Sequence, residues 1–331
     1  MLVVTKTPLR ISFLGGGTDY KSYFHRKPGA VLGMSIDKYI FIASVDMDGI
    51  QDYRYRVSYS KIEQVNSKEQ IEHPVIKAVL SERSINENLD ISIISDMPAN
   101  SGLGSSSAFT VGLLRMLNAR YEVRATKLDL ALEAIYVEKE LLNENVGIQD
   151  QLHCSFGGIN RFDFFQDDIK VSPVVMRGEC QSTLLDSLFL VYTGIKRHAS
   201  QVLDNQIQKT IDGSNDKYLE EMYKMVAEGS EILSNPDPTS LLVDFANLLS
   251  KGWHLKKQLS KSISDPQIDQ LYERCLSAGA LGAKLCGAGA GGFLLCIVPE
   301  QNRLNFLSDL ADTSVVKISM DTEGSQVMLR G

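Results

Sequence analysis

The sequence predicts a two-domain α+β protein with antiparallel sheet in both halves. Its 331 residues are about twice the roughly 150 that one domain usually takes. Strand-period and helix-period segments both occur in each half. Between the halves, the polar stretch 166–182 shows no clear period, which places the boundary there and gives domains of 1–175 and 176–331.

The elements follow in order. Residues 2–14, 30–46, 53–59 and 89–95 alternate apolar and polar side chains and read as strands. Ile71 to Glu82 reads as a short helix, and a glycine-serine loop leads into a second from about Ser105 to Ala119. Thr126 and Asp129 make a capping-box variant that opens a helix running to about Asn143. Gly157-Gly158 ends a further short helix, and 159–165 reads as a strand. Past the boundary, a strand at 187–193 precedes helices at about 197–210, 216–233, 238–260 and 265–278. A glycine loop (286–292), an apolar strand (293–298), a helix (300–311) and a strand (314–319) close the chain.

The apolar and charged fractions, 44% and 23%, are those of an ordinary globular chain. No apolar run approaches the roughly 18 residues of a membrane span, so no membrane partner is expected. Met1 to Lys6 lacks a charged-then-apolar leader pattern. Five cysteines without a Cys-x-x-Cys pair argue against a disulfide framework or a structural zinc. The expected location is cytoplasmic. A net charge of −7 with no long basic run gives no electrostatic reason for nucleic-acid binding.

The most informative segment is Pro98-Ala99-Asn100-Ser101-Gly102-Leu103-Gly104-Ser105-Ser106-Ser107-Ala108, ahead of the helix-period run Phe109 to Leu117. Glycines let backbone N–H groups converge, and a helix start adds a positive dipole end. Such a loop either cradles polyphosphate or is a serine-rich helix cap. A loop nearer the N-terminus, Gly15-Gly16-Gly17-Thr18-Asp19-Tyr20, follows a strand that carries Arg10. Its glycines allow close approach of a ligand, and Asp19 can accept two hydroxyl hydrogen bonds. The alternative is a glycine hairpin with surface charges. In the third loop, Gly287, Gly289 and Gly292 match Gly-x-Gly-x-x-Gly. The strand-like Phe293 to Val298 follows where a dinucleotide fingerprint needs a helix, which argues against a nicotinamide-dependent oxidoreductase. Asp150, in Gly147-Ile148-Gln149-Asp150-Gln151, lies twelve residues beyond Glu138. Glu138 is either a ligand or part of a solvated helix face. Glu140 is about 200° round that helix and cannot share its site.

In this order and spacing the four elements resemble the galactokinase, homoserine kinase, mevalonate kinase and phosphomevalonate kinase (GHMP) superfamily, from residue 8 to about 293. The resemblance implies an N-terminal ribosomal-protein-like α/β domain and a C-terminal ferredoxin-like α+β domain, with ATP and acceptor between them. It implies ATP phosphates against Pro98, Gly102, Leu103, Gly104, Ser105, Ser106 and Ser107, with Gly287 and Gly289 alongside. Mg²⁺ would take Ser106 and Glu138, since it keeps few protein ligands. Asp150 would accept or orient the attacking hydroxyl's proton, and Arg10 would stand near the transferred phosphoryl group.

Galactokinases carry Gly-Glu-His-Thr-Asp-Tyr in the first loop. Here Gly16-Gly17 replaces Glu-His while Thr18 and Asp19 remain, which implies a sugar acceptor held by these four residues. This version of the loop, with Val146 to Gln151, is similar to the heptose 7-phosphate kinases. Those enzymes phosphorylate the anomeric hydroxyl of D-glycero-D-manno-heptose 7-phosphate on the route to GDP-heptose. Lys196 and Arg197, after Thr193-Gly194-Ile195, either hold the 7-phosphate or form a solvated basic turn. Fucokinase-type enzymes share the Gly-Gly-Gly-Thr-Asp loop and are the alternative; a catalytically silent sensor of sugar and ATP is a distant one. A homodimer is a further expectation. Gln149 would bond sugar or Asp150, and Lys284 would be solvated or touch phosphate. Cys286 and Trp253 would pack. His198 would open a helix or flank the sugar phosphate.

Overall fold

The computed structural model describes residues 1–166, 168–195 and 200–331, and the side chains of all of these except 200–204. The first half is built on one sheet: β1 (Leu2–Leu14), β2 (Gly29–Asp46), β3 (Tyr55–Ser58), β4 (Ile62–Val65), β5 (Leu89–Ser95), β6 (Ile159–Phe164) and β7 (Ile169–Pro173). β2 is long enough to serve two neighbours. Its first half pairs with β6 and its second half with β5, so the sheet splits along one strand. Five helices belong to this half: α1 (Lys21–Phe24), α2 (Pro74–Glu82), α3 (Ser105–Arg120), α4 (Lys127–Tyr136) and α5 (Gln149–Phe156). α3 is buried on nearly every side, its polar Ser107, Thr110, Asn118 and Arg120 included. It lies close on β1 because residue 112 is glycine: a Cβ there would sit 2.8 Å from Thr7 Oγ1.

The second half holds α6 (Gly178–Asp186), α7 (Ser200–Ile211), α8 (Asp216–Ser234), α9 (Leu241–Leu259), α10 (Pro266–Ser277) and α11 (Arg303–Asp309). Its sheet is antiparallel, ordered β11-β8-β10-β9, from β8 (Leu188–Tyr192), β9 (Gly282–Leu285), β10 (Phe293–Ile297) and β11 (Val315–Lys317). A last strand, β12 (Gln326–Arg330), returns to the first sheet and pairs with β1, Val3 opposite Arg330. The two halves share core. Phe13 of β1 meets Phe245 of α9 edge-on at 5.1 Å, and α8 lies so close to β1 that a Cβ on Gly229 would be 2.3 Å from Leu14 Cδ1.

Several expectations are corrected here. The stretch 166–182, which shows no clear period in sequence, holds β7, paired with β6, and the start of α6 at Gly178. β4, β9 and β12 were not legible: each is short, and β12 finds its partner at the far end of the chain. The helix from Thr126 keeps its capping box but does not continue regularly to Asn143. It turns π-helical at Val137–Leu141, the turn that carries Glu138. Such turns occur often at functional sites because they re-aim one side chain.

Candidate active site

The phosphate-type loop is shaped by three residues in left-handed backbone, Asn100 and two glycines. Gly102 has φ +77° and Gly104 has φ +75°. Gly104 occupies the N-cap of α3 and offers no side chain to it. The serine-rich cap is therefore not what forms. The first-turn N–H groups of Ser105 to Ser107 have no partner within the helix, and their side chains line the cleft. The third loop presses on this one backbone to backbone. A Cβ at Gly102 would lie 2.7 Å from Cys286 O, one at Gly287 would lie 2.5 Å from Gly102 Cα, and one at Gly292 would lie 2.3 Å from Ser101 O.

Arg10 projects from β1 under this loop. Its Nε and Nη2 donate to the two carboxylate oxygens of Asp150 at 2.8 and 2.5 Å, and its Nη1 donates to Gly102 O at 2.6 Å. This fork joins the first turn of α5 to the phosphate-type loop in one fixed geometry. Burial works against the charge on Arg10, but the carboxylate more than offsets it, and the guanidinium ends above its ordinary pKa.

Glu138 faces the same cleft from the π-turn. Its Oε2 accepts from Ser107 Oγ at 3.0 Å and Gln151 Nε2 at 2.5 Å, whereas Oε1 is buried with no partner. Burial raises its carboxyl to about 7, against the lowering effect of the Thr110 hydroxyl, the Gln151 amide and the Ser107 hydroxyl. A buried carboxylate with one unsatisfied oxygen beside serine hydroxyls suits a hard dication, which takes oxygen ligands. Among the described residues no cluster of three or more His, Cys, Asp or Glu competes for a metal.

Two further observations concern the whole chain. Residues 71–158 match the family described as GHMP kinases N terminal domain, and residues 240–313 match GHMP kinases C terminal. The chain belongs to the GHMP kinase superfamily. Its members are ATP-dependent kinases, and this chain is one. Relatives include the D-glycero-α-D-manno-heptose 7-phosphate kinase of Campylobacter jejuni, 29% identical over 323 residues and 92% of each chain. A galactokinase of Thermococcus kodakarensis is 28% identical over 319 residues and 88% of each chain. The fold matches the crystal structure of a D-glycero-D-manno-heptose 1-phosphate kinase from Bacteroides thetaiotaomicron with a TM-score of 0.80, at 21% identity and 99% coverage of both chains. Among the described residues no helix is long and apolar enough to cross a membrane.

In this GHMP kinase the cleft brings together Arg10, Gly16, Gly17, Asp19, Gly102, Gly104, the three serines, Glu138, Asp150 and Gly287. Other expected site residues stand elsewhere. Thr18 is fully buried, and its hydroxyl is spent on the fold: it donates to Gly15 O and Ala30 O and accepts from Ala30 N–H. It braces the loop and has no hydroxyl to offer a sugar. Gly289 packs against Ile263, whose carbonyl oxygen would lie 2.8 Å from a Cβ, and does not line the cleft. Pro98 is exposed outside it, and the Leu103 side chain is in the core. Lys196, Arg197 and His198 lie outside the described residues.

Asp19 is buried, and its oxygens already accept from Gly17 N–H at 2.9 Å and Gln149 Nε2 at 3.0 Å. Gln149 thus bonds Asp19, not Asp150. Burial raises the Asp19 carboxyl pKa, with the neighbouring Asp150 charge adding to it and the Gly17 N–H opposing it. Lys284 is neither solvated nor directed at the cleft centre. It donates to Ser12 O and Phe13 O at 2.6 and 2.7 Å, which ties β9 to β1, and burial with the Lys256 charge lowers it to about 7. Sequence reasoning missed Lys256, which reaches the cleft from α9, and the role of Gln151. Trp253 packs as expected, and Cys286 is buried.

Proposed function

We propose that this kinase transfers the terminal phosphoryl group of ATP to the anomeric hydroxyl of D-glycero-D-manno-heptose 7-phosphate, giving the 1,7-bisphosphate on the route to GDP-heptose. The observation that carries the reaction type is one cleft in which the Arg10–Asp150 fork faces both the α3 N-terminus and the buried carboxylate of Glu138. The heptose assignment is supported by the first loop and by the 29% identity to a heptose 7-phosphate kinase.

Each group has a physical task. The α3 N–H groups and the serine hydroxyls hold phosphate oxygens at a positive dipole end. Glu138 and Ser106 hold Mg²⁺, with Ser107 fixing the Glu138 carboxylate; the metal, when bound, neutralises phosphate charge. Asp150 opens to the cleft from the α5 first turn, and the fork leaves lone pairs on both oxygens. It accepts the proton of the attacking hydroxyl, or aims that hydroxyl in line. Asp19, aimed by Gln149 and by the backbone of Gly17, orients the sugar. Gly16 has ordinary backbone, and a Cβ there would lie 3.4 Å from Gln149 Nε2. The missing side chain at 16 leaves room for a larger acceptor than galactose, whereas a Cβ on Gly17 would meet Leu219 Cδ2 at 3.1 Å. Lys196 and Arg197 hold the 7-phosphate.

The test is coupled ADP release with Mg-ATP on the heptose 7-phosphate, the unphosphorylated heptose, fucose, galactose and mevalonate. Turnover confined to the heptose 7-phosphate is expected. Turnover on an unphosphorylated sugar would overturn the 7-phosphate pocket and favour a fucokinase-type enzyme. Arg197→Ala is expected to raise the acceptor KM more than that of ATP.

A further inference from the structure

Among the described residues three cations line the cleft, and their partners separate them. Arg10 is matched by the carboxylate of Asp150. Lys284 spends itself on two carbonyls of β1. Lys256 is different. It is only 6% exposed, yet among the described residues its single acceptor is Gly287 O and no carboxylate lies within ion-pair distance. An ammonium has three donors, so two remain. A buried charge without a counter-ion is costly, and an anion entering the cleft offsets that cost.

Its position selects the anion. The carbonyl it holds belongs to Gly287, which is pressed on Gly102 of the phosphate loop. The charged or titratable groups that act on it are Cys286, Arg10, Asp19 and Asp150, together with the neighbouring Lys284. Lys256 therefore stands where the donor loop meets the acceptor side. Both carboxylates there repel a polyphosphate, and the charge of Arg10 is already matched. Burial lowers Lys256 to about 8, which leaves it mostly cationic at neutral pH. We propose that Lys256 is a phosphate-binding residue whose ammonium contacts the terminal phosphoryl group of the nucleotide. This rests on the ATP-donor reading of the cleft and not on which sugar is the acceptor.

The experiment is calorimetric titration of wild type, Lys256→Met and Lys256→Arg with Mg²⁺ plus a non-hydrolysable ATP analogue, and separately with Mg²⁺ plus ADP. Lys256→Met is expected to lose about 10–100-fold in affinity for the triphosphate, the range of a charge-assisted hydrogen bond, and under about threefold for ADP. Lys256→Arg should keep most of the affinity. Equal loss for both nucleotides would assign Lys256 to packing of the third loop and overturn the proposal, as would no loss for either. A KM effect restricted to a phosphorylated acceptor would also overturn it. Should the methionine variant not fold, Lys256→Gln reads out the same split while keeping a donor for Gly287 O. A wild type that binds neither nucleotide would overturn the donor reading itself, an outcome separable from a wild type that binds both.

Discussion

Replacing Glu138 by glutamine separates the fold's interest from the site's. The buried carboxyl has its pKa raised from 4.5 to about 7, chiefly by loss of water. For an acid raised on folding, the folded state binds the extra proton. Its contribution to stability therefore declines as pH rises from the unfolded value, and levels off above the folded one. Those two pKa values correspond to a loss of roughly 2–3 kcal/mol between about pH 5 and pH 8. Glutamine has the same shape, and its amide oxygen can still accept from Ser107 and Gln151. It does not titrate. The variant should gain roughly 2–3 kcal/mol on wild type between those two pH values, whatever fixed cost the amide adds. The assay is urea unfolding of both proteins at both pH values, in the absence of magnesium and nucleotide. Identical pH slopes would refute the buried-carboxylate argument. The same variant should lose most turnover, because the unpartnered, buried Glu138 Oε1 would no longer be a carboxylate oxygen.

Other outcomes follow from the same geometry. Asp150→Asn should lower the phosphoryl-transfer rate roughly 10²–10⁴-fold with the protein still folded, as expected for loss of a general base; unchanged turnover would remove that role. Thr18→Val should cost about 1–3 kcal/mol in stability by stranding the Ala30 N–H and carbonyl, Gly15 O keeping the Thr18 N–H, and leave the acceptor KM within about twofold. A large KM effect with unchanged melting would return Thr18 to the sugar site. Gly102→Ala should destabilise by more than about 1 kcal/mol, because φ is +77° and the added methyl meets Cys286 O at 2.7 Å; thermal melting measures it.

Much of this protein was legible because its signals are local. The capping box at Thr126, the glycine-serine loop before α3 and the alternation in β1 are set by backbone sterics and by short-range periodicity. The ordered motifs identified the family, and composition bounded the class. The sequence could not tell that Thr18 spends its hydroxyl on Ala30, or that Gln149 chooses Asp19 over Asp150. Nor could it show that Lys284 spans two sheets. These are decided by which groups remain unsatisfied once water is expelled, and the partners are strangers in sequence. Lys256 looked like any helical lysine, and only the approach of α9 to the third loop buries it. Glu138 read equally well as a ligand or a solvated residue. The π-turn resolved this by rotating it inward, where a desolvated carboxylate is held by Ser107 and Gln151 with one oxygen left over. Local chemistry set the loops, and tertiary packing set which of their polar atoms stay available.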